Sequence, residues 1–340
     1  MTARAVPAPG VSPGRGGSPG RLRGPGVTRA AYLYIAPFFI VFLTFSLYTW
    51  VRTAWVSLHN VRLSTYQSIE WIGLDNYSNL LHNKFYWNAF RNTISIGLLS
   101  TVPQLLMALG IAHLLNYRMR GRTFFRVAML LPFATSLAAA TVIFIELFSP
   151  DLGLINWFIG DVLHLPAPDW QNSKWPSQVA VSTIVTWRWT GYNTLIYLVG
   201  MQSIDSTLYE AAAVDGAGRW RQFLHVTLPG LRPTILFTIV VSTIGATQLF
   251  GEPLLYHNGL PDGGTQNQYQ TLGLLMYQQG WTNHRLGLAS ATAWTMFLII
   301  IVAVGVNLLI ARRRELREGG RRRRPTAEAM VVAMPEVTAR

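Results

Sequence analysis

AAYLYIAPFFIVFLTFSLYTWV, residues 30–51, carries no charged side chain between Arg29 and Arg52. As a helix rising about 1.5 Å per residue, a run of this length just crosses a hydrocarbon layer of ~30 Å. Working outward, the same test finds comparable runs at 92–117, 127–148, 178–201, 233–251 and 286–311. Six runs predict an all-α integral membrane protein with six transmembrane helices over residues 30–311. Composition agrees, since half the residues are apolar and 13% are charged, against about 25% charged in an average soluble domain. An ordinary water-soluble enzyme is excluded.

The net charge of +13 arises from arginines gathered in a few short segments, which suits membrane orientation and not nucleic-acid binding. Arg118, Arg120, Arg122 and Arg126 crowd one short loop, and Arg312, Arg313, Arg314, Arg317 and Arg321 to Arg324 follow the last run. Both segments are predicted to be cytoplasmic, which places both termini inside. The connections 150–177 and 252–284 are nearly neutral and are expected outside. Residues 1–29, rich in Gly and Pro and without an acid, read as a disordered cationic tail, and 312–340 as a basic cytoplasmic tail.

Several chemistries lack their residues. No Gly-Lys-Ser/Thr accompanies Lys84 or Lys174, so a phosphate-cradling P-loop is absent and the chain is predicted to be no ATPase. There is no His-Glu-x-x-His helix and no Gly-x-Ser-x-Gly elbow, and the seven His lack ligand spacing, so neither a hydrolase nor a metal site is expected. With no Cys, disulfides and thiolate chemistry are out.

The segment 202–232, between the fourth and fifth runs, departs from the apolar pattern and reads QSIDSTLYEAAAVDGAGRWRQFLHVTLPGLR. Asp205 or Ser206 can cap a helix running through Leu208, Tyr209 and Ala211 to Ala213. Gly216 and Gly218 interrupt it. A second helix is predicted from Arg219 to about Thr227, with Trp220, Phe223 and Leu224 on one stripe and Pro229 ending it. An amphipathic helix lying on anionic lipid would explain Arg219, Trp220 and Arg221, but not the first helix.

Glu210-Ala211-Ala212, Asp215-Gly216-Ala217, Phe223 and Leu228-Pro229 resemble the EAA loop in permease subunits of bacterial ABC importers. Tyr34-Ile35-Ala36-Pro37, Gly73-Leu74-Asp75-Asn76-Tyr77 and Leu131-Pro132 are similar to the carbohydrate-uptake branch that includes the maltose, lactose and glycerol-3-phosphate permeases. Trp187 to Ser203 and Gly245 to Tyr256 look most like subunits importing cellobiose or other β-glucosides. The resemblance implies a multi-pass permease in a bacterial plasma membrane that forms a sugar path. Its implied partners are a second permease, two ABC ATPase subunits and an extracytoplasmic sugar-binding protein. ATP and Mg would sit on the ATPase, with no cofactor on this chain. Glu210, Ala211, Ala212, Asp215, Gly216, Ala217, Phe223 and Pro229 would then couple the spans to ATP hydrolysis.

A charge at mid-membrane costs about 2.5 to 3.5 kcal/mol on insertion scales, so Arg188 in the fourth run needs a compensating environment. Either it lines the sugar path, with Trp187, Trp189, Tyr192 and Asn193 beside it, or it pairs with Glu146, roughly 10 Å nearer the outer surface by helix rise. Gln248, Phe250, Glu252 and Tyr256 at the outer end of the fifth run are further path candidates. The Gln-rich loop from Gly263 to Gln279 offers an alternative contact for the binding protein. The rival reading is an ion-coupled secondary transporter in which Arg188 or Glu146 senses an ion gradient.

Overall fold

The computed structural model describes residues 25–63, 69–117 and 120–322, without the side chains of 25–31, 312 and 314–322. Most of the expected tails, together with Arg118, lie outside the described residues. Two units are distinguished, residues 1–53 and 54–340. The first holds α1 (Pro25–Val41), a π-turn at Phe42–Leu47 and the start of α2 (Tyr48–Ser57). The helix already begins at Pro25, inside the expected tail, because proline at a first helical position gives up an N–H that would be unsatisfied anyway.

The second unit begins with the end of α2. A departure from the all-α expectation follows, since β1 (His59–Asn60) pairs antiparallel with β2 (Glu70–Trp71). Next come α3 (Asp75–His82) and α4 (Lys84–Asn116). The Asn83 side chain accepts from the Phe85 amide at 2.9 Å and caps α4, so this helix starts well before residue 92.

The run 127–148 is not one straight helix. It divides into α5 (Arg122–Ala134) and α6 (Leu137–Leu147), bent by 91°. Thr135 is extended, and the Ser136 hydroxyl accepts from the Ala139 amide at 3.3 Å, so a new helix is capped where the old one stops. The chain continues through α7 (Leu154–Trp157), α8 (Lys174–Gln202), α9 (Ser206–Val214), α10 (Arg219–Gln222), a π-turn at Phe223–Thr227, α11 (Leu228–Gly230) and α12 (Arg232–Thr247). It ends with α13 (Gly251–Tyr256), α14 (Leu272–Tyr277) and α15 (Leu286–Arg322). The last helix runs beyond Ala311 into the expected basic tail, because Arg, Glu and Leu there are strong helix formers.

Among the described residues, three helices are long and apolar enough to cross a membrane: Tyr32–Ser57, Lys84–Asn116 and Leu286–Ala311. Counting the bent pairs α5–α6 and Arg219–Gly230 with α12 as one span each raises this to five. The helix missing from the expected six is α8. At 29 residues it has the length but not the apolarity, because its neighbours are protein and it buries Gln178, Ser182, Thr186, Thr190, Asn193 and Thr194. Ser182 and Thr186 donate across to the Ile96 and Ser100 carbonyls of α4 at 3.3 and 3.2 Å. Small polar residues let helix backbones approach closely and bond in an apolar surround.

Packing is concentrated along α4 and α8. One cluster joins Ile96 of α4 and Ile184 of α8 to Phe144, Phe148, Trp170, Tyr256 and Tyr269. At the other end Ala108, Ala112 and Leu115 of α4 meet Tyr197 and Met201 of α8, together with Phe223 and Leu231.

Candidate functional site: a cavity between α4, α8 and α12

A cavity of about 570 Å³ lies where α4, α8 and α12 converge. From α8 it takes Val185, Trp189, Tyr192 and Asn193, which share one helix face because residues four apart stack along it. From α4 it takes Ser100, Thr101 and Gln104, and from α12 Val241, Ser242 and Gly245. Beyond the end of α12, Gln248, Phe250 and Glu252 complete the wall.

Of the path candidates, Trp189, Tyr192, Asn193, Gln248, Phe250 and Glu252 therefore meet at one cavity. Trp187 does not. Two positions from Trp189, it points about 200° away around the helix, where it is exposed with its ring against Phe144. Tyr256 is buried outside the lining, and its hydroxyl donates to the Trp170 carbonyl at 3.0 Å. Burial, with the nearby Asp169 charge second, pushes that hydroxyl above the ordinary tyrosine range, so it stays a neutral donor. Ser100, Thr101, Gln104 and Ser242 were missed. The i, i+4 spacing of Ser100 and Gln104 in an otherwise apolar helix was the available signal.

Arg188 resolves differently from both expectations. It lies outside the lining, and its Nη1 donates to Glu252 Oε1 at 2.9 Å, with the two side chains 14% and 8% exposed. Its Nε is enclosed without a partner. Glu146, the partner considered from helix rise, is exposed. Between α12 and α13 the helix is broken at Gln248–Phe250, and Glu252 follows in the first turn of α13.

Aromatic rings frame one side of the cavity. Phe133 stacks on Tyr192 with centroids 5.0 Å apart and meets Trp189 edge-on at 5.1 Å, while Phe250 sits 5.1 Å from Tyr277. Hydroxyls, amides and flat apolar faces together suit a small polar solute with apolar ring faces. Among the described residues no group of His, Asp and Glu could hold a metal ion.

The Gln-rich loop turns three of its glutamines inward and leaves Thr265 and Gln266 exposed. Gln268, Gln270 and Gln279 are buried. Asn92 donates to the Asn267 and Gln270 carbonyls at 2.9 and 3.1 Å, and Gln178 donates to Asn92 Oδ1 and the Gln268 carbonyl at 3.0 and 2.8 Å. The loop's backbone polar groups have no strand partners, so the amides of α4 and α8 satisfy them.

In the 202–232 segment, the Asp205 carboxylate accepts from the Thr207 amide at 3.0 Å and caps α9. That bond holds its carboxyl below the usual range. α9 stops at Gly216, with φ +72°, where the amides of Gly216 and Ala217 bond back to the Ala213 and Ala212 carbonyls. This paired closure needs a left-handed residue, which glycine supplies freely. Glu210, Ala211, Asp215 and Gly216 are exposed, while Ala212, Ala217 and Pro229 are half-buried.

Phe223 is buried, its ring 4.4 Å from that of His113 at the end of α4, so it anchors the segment instead of presenting itself outward. Tyr209 and Thr227 share a hydrogen bond of 3.0 Å that ties α9 to the second arm. Pro229 does not end that arm. The helix passes it to Gly230, and the chain then bends by 66° into α12. Arg219 lies over the Tyr117 ring at 4.8 Å, a cation–π contact and not a free lipid anchor.

The sn-glycerol-3-phosphate transport system permease protein UgpA of Escherichia coli O6:K15:H31 is 34% identical over 278 residues, 80% of this chain and 91% of that one. The lactose transport system permease protein LacF of Rhizobium radiobacter is 32% identical over 287 residues, 84% of this chain and 94% of that one. Among solved structures, a bacterial ABC transporter involved in the import of the acidic polysaccharide alginate matches with a TM-score of 0.70 at 23% identity, over 85% of this chain and 97% of that one. A bacterial alginate ABC transporter in complex with an alginate pentasaccharide-bound periplasmic protein matches at 0.68 and 21% identity, over 85% of this chain and 96% of that one. These last two speak for the fold. The model of the binding-protein-dependent transport system inner membrane component family matches residues 82–316, more than half of the chain, and the protein belongs to that family of membrane permeases.

Proposed function

We propose that this permease carries a sugar, of the oligosaccharide or β-glucoside class, through the cavity between α4, α8 and α12. The observation that carries the reading is the lining itself. Trp189 and Phe250 offer flat faces beside the amides and hydroxyls of Gln104, Asn193, Ser242 and Gln248, the chemistry that recognises a pyranose. The lactose permease relative supports the class.

The 202–232 segment couples the path to ATP hydrolysis on separate ATPase subunits, where ATP and Mg are bound. Exposed Glu210, Ala211, Asp215 and Gly216 form the docking side, with Ala212, Ala217 and Pro229 supporting it and Phe223 holding it to α4 and α8. In this reading a second permease completes the path, an extracytoplasmic binding protein delivers the sugar, and both termini are cytoplasmic. Against an ion-coupled rival stands the Arg188–Glu252 pair, which accounts for the Arg188 charge without an ion gradient.

The test is to tag the C-terminus, purify the chain gently from native membranes and identify what accompanies it by mass spectrometry. A P-loop ATPase, a second permease and a sugar-loaded binding protein are expected. A lone chain or simple homo-oligomer that mild cross-linking leaves unchanged would defeat the coupling reading.

A further inference from the structure

We infer that the Arg188–Glu252 ion pair makes the cavity selective for uncharged sugars, an inference that rests on the sugar-path reading above. Glu252 is the lining residue that carries a charged side chain, and every other polar side-chain group on the described wall is a hydroxyl, an amide or the Trp189 indole N–H, all uncharged. Its charge is cancelled from behind. From outside the lining, Arg188 Nη1 approaches Glu252 Oε1 within 2.9 Å, and the Arg188 Nε is enclosed without a partner, so Glu252 supplies the compensation of this guanidinium.

The wall therefore presents no unpaired cation to an anionic sugar and no unpaired anion to a cationic one. A charged solute entering this low-dielectric space loses its hydration and finds no counter-charge, unless it breaks a pair that is itself largely desolvated. A neutral sugar gives up only hydrogen bonds to water, which amides and hydroxyls replace. Arg188 is thus a positioning residue: it acts on the solute through the state of Glu252.

Two single substitutions unbalance the wall in opposite senses. Glu252→Gln leaves the Arg188 cation uncompensated, and Arg188→Gln leaves the Glu252 carboxylate uncompensated. In proteoliposomes holding the complete assembly and its binding protein, uptake is measured for cellobiose, lactose and maltose, for the matching aldonates, and for the cationic disaccharide of glucosamine. Wild type is expected to move at least one neutral disaccharide, and its aldonate at least tenfold more slowly. Glu252→Gln should shift the ratio about tenfold towards the aldonate, and Arg188→Gln should shift preference towards the amino sugar. The reversed pair, Arg188→Glu with Glu252→Arg, should return the neutral preference. The binding protein is the same throughout, so changes in ratio belong to this chain.

A packing role alone would lower all uptake together and leave the ratios unchanged, which would overturn the inference. Wild-type transport of an aldonate as fast as its parent sugar would overturn it while sparing the sugar-path reading. Transport of no saccharide at all would defeat both. If Glu252→Gln fails to reach the membrane, Arg188→Gln and the reversed pair decide the matter by the same ratios.

Discussion

Gly191 of α8 lies against the Met129 carbonyl of α5 so closely that a Cβ built on it would fall 1.6 Å from that oxygen. The obstacle is backbone and cannot rotate away, so the two helices touch there only because residue 191 has no side chain. Gly191→Ala should destabilise by more than the roughly 1–3 kcal/mol typical of overpacking. Thermal unfolding of the purified assembly checks this: a clearly lowered midpoint is expected, and Gly191→Val should barely accumulate in membranes.

Gly216 fails on substitution for the opposite reason. A Cβ there meets nothing within 4 Å, but its φ of +72° is left-handed, which disfavours other residues by about 1–2 kcal/mol. Gly216→Glu should leave the protein in the membrane yet uncouple ATP hydrolysis from uptake, while Gly216→Asn, which tolerates that backbone, keeps much of the activity. Parallel ATPase and uptake assays read the difference, and normal uptake by the Glu variant would contradict the coupling role of the segment.

Phe223→Ala removes a buried ring from the contact with His113. Large-to-small core changes of this kind cost about 3–5 kcal/mol, and here the loss falls on the attachment of 206–230 to α4 and α8. Hydrogen exchange should rise across that segment while staying unchanged in α3 and α14, which pack elsewhere.

The Asp205 cap makes an acid-side prediction. Its carboxyl is held down in the folded chain by the Thr207 amide, so its contribution is complete above the unfolded value of about 3.9 and fades as pH falls through the lower folded value. Protection of the α9 amides should be flat from neutral pH down to about pH 4 and decline below it. Asp205→Asn, which caps without titrating, should abolish that decline.

Asn92 holds three groups of the 263–271 loop and its surroundings at once: two carbonyls and the Gln178 amide. Asn92→Leu strands the buried Gln270 carbonyl and one N–H of Gln178, at about 1–3 kcal/mol for each group left unsatisfied, while the Asn267 carbonyl keeps its bond from Asn88 at 2.7 Å and Gln178 its bond to the Gln268 carbonyl. The loop should lose hydrogen-exchange protection while α12 keeps its own.

Apolar runs made most of the helices visible in advance, because a lipid-facing stretch must be apolar throughout. The deviations occur where a helix faces protein or breaks without a marker. α8 looked like a span by length, yet its buried Gln, Asn and Thr residues reflect neighbours that no local pattern reveals. Between α5 and α6 the chain turns at Thr135–Ser136, with Pro132 three residues earlier as the nearest breaker and a serine hydroxyl completing the corner. The cavity was legible from α8, whose aromatic and amide residues stand out, and fainter in α4, where the i, i+4 spacing of Ser100 and Gln104 was the one signal among other scattered polar residues. That Arg188 meets Glu252 depends on how α8 and α13 pack, 64 positions apart along the chain.

The π-turn at Phe223–Thr227 absorbs a residue without changing the heading of the chain. A widened turn holds one residue more than the regular pitch allows. Deleting a single residue between 223 and 227 would restore ordinary winding and leave what precedes it close to its old bearing relative to α12, because a widened turn and a regular one both close a single circle. The turn is therefore a slack link: it takes up one amino acid, whatever its type, without swinging α9 round. Relatives one residue shorter here keep the same compass direction by winding the turn regularly, whereas an extra residue taken up without widening would swing it by about 100°.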